Sequence, residues 1–155
     1  MPALENLTKG DVIATRTIGI NRADLIRYAG ASKDFNPIHW SDATAELAEL
    51  PGVIAHGMLS MGLAVDVVTE WTNDPTAIID YQTRFSAMVP VDETTENFDP
   101  ARPFENPYPG AVLNVTAKIG AINQETHVVR VDLSVTNPSD DDARVLTRAQ
   151  VQVQF

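Results

Sequence analysis

Asp34, Asn36 and His39 fall within the run DFNPIHW, residues 34–40, directly ahead of a serine suited to cap a helix. An imidazole and a carboxylate held near each other can share one water, or one can act as base while the other acts as acid. Pro37 supplies the holding. It fixes its own φ and disfavours helical geometry at Asn36, so the stretch cannot relax into a continuous helix. Such stiffness suits groups that must keep their positions. The same residues also make an ordinary surface turn, because Asn-Pro starts turns and Ser41 is a good N-cap. Taken alone, the stretch leaves both readings open.

A second element favours chemistry. In AHGMLS, residues 55–60, Gly57 stands at the first turn of an expected helix. Its N–H has no intrahelical partner and lies at the positive end of the helix dipole. Lacking a side chain, glycine lets a substrate carbonyl approach the backbone closely. That is how an oxyanion donor is built. A polar pair with such a donor suits proton removal beside a carbonyl, or its reverse.

Other titratable residues have plainer roles. His56 is expected to pack or cap at the helix start rather than serve as a second acid–base group. His127 begins a strand and reads as structural or solvent-facing. No metal is expected at Asp34, Asn36 and His39, since the run lacks the glycine and terminal glutamate of a calcium loop. Arg22, Arg27 and Lys33 lie close together with Asp24 the one acid among them. A solvated face is the usual role of such a cluster. Placed directly before Asp34, Arg27 and Lys33 are also where an anionic carrier would meet the chain, with Arg84 and Arg102 as further candidates.

These residues need a scaffold, and hydrophobic periodicity describes one. Residues 11–20 read as a strand. Asn21 caps a helix through about Tyr28, with Asp24 interacting at its start. Ser41 opens a short helix that Pro51-Gly52 stops. From His56-Gly57 a longer helix runs to about Trp71, apolar on nearly every side and so expected to be buried. Met58 and Met61 are its core residues, suited also to line an acyl tunnel, and Gly62 is expected to permit close packing.

The second half alternates with period two. Residues 78–85 form a strand, and apolar residues alternate with polar ones over 113–119, 129–135 and 149–155. Strands with one dry face make an antiparallel sheet. The apolar helix is the element available to cover it. The fold class is therefore α+β, a curved antiparallel sheet around a long central helix, the hot-dog arrangement. Its edge strands and residual apolar surface favour a dimer.

Composition sets the outer limits. The 155 residues suit one domain, and 44% hydrophobic with 21% charged residues are ordinary for a globular chain. A net charge of −10 argues against nucleic acid, whose phosphates need a basic surface. With no cysteine, thiolate catalysis and disulfides are excluded, in keeping with a cytoplasmic location. The N-terminus lacks the features of a signal peptide, and the longest apolar run, MLSMGLAVDVV, is too short for a bilayer. Residues 92–110 are rich in proline and acid and break all periodicity. They are expected to be a lid, a partner contact or a disordered loop.

The stretches YAGASKDFNPIHWSD and GVIAHGMLSMG resemble the signature of the MaoC-like (R)-specific enoyl-thioester hydratases. The similarity continues through VTEWTNDPTAIIDYQTRFSAMVPV and is closest to the catalytic β subunit of the mycobacterial type II (3R)-hydroxyacyl-ACP dehydratase. The resemblance implies that Asp34 and His39 are the catalytic pair, that Asn36 orients them or the water, and that the Gly57 amide receives the thioester oxygen. It implies a hot-dog dimer, homo- or heteromeric, acting on acyl-CoA or acyl-ACP without a cofactor. Residues 92–110 are longer than the family's usual connection, which bears on substrate length and partner. Two other roles share the fold, a thioesterase and a non-catalytic acyl-binding subunit of a heterodimer.

Overall fold

The computed structural model describes residues 2–94, Ala101 and 109–155. Its framework is a five-stranded, wholly antiparallel sheet of β1 (Val12–Ile20), β2 (Ile78–Phe85), β3 (Ala111–Asn123), β4 (Val128–Asn137) and β5 (Ala143–Gln154), in the order β1-β3-β4-β5-β2. Register follows the dry residues. Val115 faces Val135, and Val131 lies between Ile119 and Val151. All five side chains are buried. A slip by one residue would turn this face to water, so the alternation read from sequence locks the pairing.

Three helices complete the described fold: α1 (Arg22–Ser32), α2 (Asp42–Leu47) and α3 (Gly57–Thr72). The α1 N-terminus is a capping box. The Asn21 side chain accepts from Asp24 N–H at 3.0 Å, and the Asp24 carboxylate accepts from Asn21 N–H at 2.9 Å. The helix runs past Tyr28 because Ala29 to Ser32 can all continue it. Lys33, in the left-handed region at φ 67°, ends it. Ser41 caps α2 by accepting from Thr44 N–H at 3.2 Å. That helix stops ahead of Pro51-Gly52, with Glu49 turned to φ 55°.

The central helix α3 packs against β1, β2, β3 and β4, and the result is the hot-dog fold. It is not buried all round, as its composition had suggested. Ser60, Ala64, Val67, Val68 and Thr72 form its buried stripe. Met58 is 56% exposed, and Leu59, Met61, Leu63, Val65 and Trp71 are only partly covered. One sheet can cover only one side of a helix. On the wet side Arg16, from β1, pairs with Asp66 at 3.3 Å and with Glu70. Gly62 is exposed with no atom near the position of a side chain, so it does not serve close packing. Most of residues 92–110, Arg102 among them, lies outside the described residues. Among those described, no helix is long and apolar enough to cross a membrane.

Candidate functional site

The chain leaves α1 at Lys33 and enters a turn built from its own short polar side chains. Asp34 N–H donates to Ser32 Oγ at 3.2 Å, and Asn36 N–H donates to the Asp34 carboxylate at 3.2 Å. The Asn36 side-chain oxygen then accepts from Ile38 N–H at 3.3 Å, capping a single 3-10 turn at Pro37–His39. Trp40 Nε1–H closes the loop onto the Phe35 carbonyl at 3.1 Å. Each of these is an Asx-type or turn contact that asparagine, aspartate and proline make readily.

This turn presents His39 inward while Asp34 stays exposed. His39 Nδ1 lies 2.7 Å from the Ile54 carbonyl oxygen. A carbonyl only accepts, so Nδ1 carries a hydrogen, and in the neutral ring the lone pair is on Nε2. Ile54 N–H donates back to the Ile38 carbonyl at 3.3 Å. The loop bearing His39 is thereby tied to the segment leading into α3.

His56 joins them. It is 2% exposed, stacks on His39 with ring centroids 3.8 Å apart, and lies against Tyr28 at 4.8 Å. Its Nε2 is 3.1 Å from the Asp34 carbonyl oxygen. Burial holds its imidazole below the ordinary value, an effect the hydrogen bond to Asp34 opposes and the neighbouring His39 reinforces. Sequence reasoning assigned His56 to packing or capping. It does pack, but it makes no side-chain cap bond, and its contacts are with the candidate pair. Its place directly before Gly57 was the available signal. Tyr28 was given no role, and nothing in its local sequence marks it.

Donor atoms of Asp34, His39 and His56 lie within 4.8 Å of one another, a grouping that could hold a metal ion.

Gly57 is the first residue of α3, adjacent to His56 in the chain. A Cβ there would sit 3.0 and 3.1 Å from two ring carbons of Phe85. The absence of a side chain thus serves the close approach of Phe85, a reason the sequence did not show. The cations divide. Arg22 is committed to both carboxylate oxygens of Asp42, at 2.8 and 3.2 Å, and to the Val91 carbonyl. The Arg22 guanidinium in turn holds the Asp42 carboxyl below the usual range. Arg27 pairs with Asp24 at 2.7 Å and borders a 380 Å³ groove with Tyr28, Leu59 and Leu63. Lys33 is exposed beside Asp34. A larger cavity of 510 Å³, between Pro51, Met88 and Asn137, touches none of the clustered residues.

The chain belongs to the MaoC-like domain family, whose domain matches residues 4–97. Over 64 residues it is 39% identical to the fatty acid synthase β subunit pkiC of Emericella nidulans, a match covering 40% of this chain and 3% of that one. The chain is thus a small fraction of the length of that relative. A solved MaoC-like dehydratase is 32% identical, with a TM-score of 0.83, covering 99% of this chain and 42% of that chain. An (R)-hydratase from A. caviae involved in PHA biosynthesis superposes with a TM-score of 0.76 at 17% identity, over 97% of this chain and 98% of that one. At that identity the likeness speaks for the fold alone.

Proposed function

We propose that this chain is an (R)-specific hydratase/dehydratase that interconverts trans-2-enoyl and (3R)-3-hydroxyacyl thioesters. The observation that carries the reading is the 2.7 Å contact of His39 Nδ1 with Ile54. It leaves Nε2 as a fixed proton acceptor in a cluster that also holds the Asp34 carboxylate. In hydration, His39 and Asp34 bind one water and take a proton from it as its oxygen bonds to C3. The C2=C3 electrons move toward the thioester, and the enolate oxygen rests on the Gly57 N–H at the start of α3. A proton delivered to C2 completes the addition. Dehydration retraces these steps, removing the C2 proton and protonating the departing hydroxyl. Asn36 keeps the turn that aims His39. The cysteine-free chain suits a cytoplasmic site of action.

The deciding experiment follows an enoyl thioester with purified protein. Loss of enoyl absorbance without thiol release is expected. Thiol release would instead identify a thioesterase, and no reaction a non-catalytic subunit.

Two further expectations arise from the same reading. The partly covered face of α3 and the free edge of β2, where Ile79 and Phe85 are exposed, suit pairing with a second hot-dog subunit, identical or related. Sedimentation at micromolar concentration should then give a dimer, alone or with that related subunit. An active monomer would contradict it.

For the carrier, Lys33 is the exposed cation beside Asp34, whereas Arg27 is already paired with Asp24. Lys33→Glu should raise KM for a CoA- or ACP-linked substrate by about 3–10-fold with kcat nearly unchanged, the signature of lost uniform binding. Arg27→Glu should do less. Both effects should shrink in high salt. An equal effect on a short pantetheine thioester would assign these residues to the loop rather than the carrier.

A further inference from the structure

The addition of water needs no third acid–base group, yet the most buried of the three polar side chains is His56. Its Nε2 faces a carbonyl oxygen, that of Asp34, so Nε2 carries the hydrogen. In His39 the hydrogen is on Nδ1, toward Ile54. Two stacked imidazoles are therefore held in opposite tautomers by two main-chain carbonyls. His56 Nδ1 is buried and has no partner among the described residues. Protonating it would create an unsatisfied N–H, carrying charge, against a second imidazole and the ring of Tyr28. The neutral Nε2–H form is the one this environment accepts.

We propose that His56 is a positioning residue for the hydratase reaction: its Nε2–H pins the main-chain carbonyl of Asp34 and its ring face holds the His39 imidazole, so that both meet one water. The role rests on the reaction assigned above. Asp34 is exposed, follows a left-handed residue, and is otherwise held by two local contacts of 3.2 Å, to Ser32 and Asn36. Both partners lie within two residues of it in the chain. The bond from His56 comes from 22 residues away and ties Asp34 to the buried residue that precedes α3. The stack on His39 makes one ring the common reference for both groups. Misplacement of a reacting group by about 1 Å can cost about 10²-fold in rate, so one loosened tether is enough to be measured.

Two variants separate the tether from the ring. His56→Phe keeps an aromatic face and loses the N–H, whereas His56→Gln keeps an N–H at similar reach and loses the ring. His56→Phe should lower kcat about 10–100-fold with KM within about twofold, and His56→Gln should retain at least about tenfold more kcat than His56→Phe. Equal kcat in the two variants, or a change confined to KM, would overturn the role. A second measurement needs neither substrate nor variant. Nitrogen–proton correlation spectra of the wild-type protein at pH 6.5 should show His56 as the neutral Nε2–H tautomer and His39 with its hydrogen on Nδ1. His56 as the Nδ1–H tautomer, which has no hydrogen on Nε2 to reach the Asp34 carbonyl, would overturn the inference even in an active enzyme. Wild-type protein that hydrates no enoyl thioester sinks the reaction, and the role with it, while the spectra still report the tautomers.

Discussion

Asp34→Asn and His39→Ala are each expected to lower hydratase turnover by about 10²–10⁴-fold, the usual contribution of a general acid–base group. The first variant should fold normally. An asparagine side chain retains the oxygen that accepts from Asn36 N–H in the wild type, so the turn keeps its geometry and loses only the charge. His39→Ala is less clean, because it leaves the Ile54 carbonyl without its donor. A buried acceptor without a partner costs about 1–3 kcal/mol. His39→Asn is the companion variant, since its side-chain N–H can replace Nδ1–H while nothing replaces Nε2. It should be as inactive as His39→Ala and more stable to heat. On the proposed mechanism, in which both residues act on one water, the double variant should lose little more than either single one. Near wild-type turnover in Asp34→Asn or His39→Asn would remove that residue from the chemistry. Fully multiplicative losses would separate the two into independent roles.

Gly57→Ala is expected to lower kcat/KM about 10²-fold, near the low end for loss of an oxyanion donor, with little change in stability. The new methyl would meet the Phe85 ring at 3.0–3.1 Å. Phe85 is 52% exposed on the edge strand β2, so the ring can move outward by the few tenths of an ångström required. Alanine also has the better helix propensity, which offsets part of that contact. On the proposed mechanism, activity should fall because the methyl crowds the amide assigned to the thioester oxygen. The double variant Gly57→Ala/Phe85→Leu relieves the ring contact without clearing the amide. Its activity should stay low. Recovery to wild-type rate would trace the loss to Phe85 and leave the amide without a role.

How far these residues could be read in the linear sequence depends on the range of the interactions that place them. The sheet was legible because alternation is local: a dry residue at every second position over 113–119, 129–135 and 149–153 fixes which face is buried, so a one-residue slip is not tolerated. The caps at Asn21 and Ser41 were legible for the same reason, each bond spanning three residues. Asp34, Asn36 and His39 lie on one short turn that their own side chains and Pro37 shape, so their nearness along the chain was legible, whereas the contacts that aim His39 and hold Asp34 come from Ile54 and His56.

Tertiary structure decided what long-range contacts decide. The extent of burial of α3 depends on how much of its circumference one sheet can cover, which hydrophobic composition does not encode. That is why Met58 is exposed and Gly62 faces open space. Arg22 and Lys33 look equivalent in sequence, but Arg22 is consumed by Asp42 across 20 residues and Lys33 is in no ion pair among the described residues. That Gly57 lies against the Phe85 ring was decided by strand β2, which brings Phe85 back beside the start of α3. His56 shows the same limit most sharply. Its neighbours along the chain describe a helix start, whereas its actual surroundings are Tyr28, Asp34 and His39. Local side-chain chemistry determined which residues could react. Only the packing of α1, the turn and α3 against one another decided that a second, buried imidazole would stand behind them.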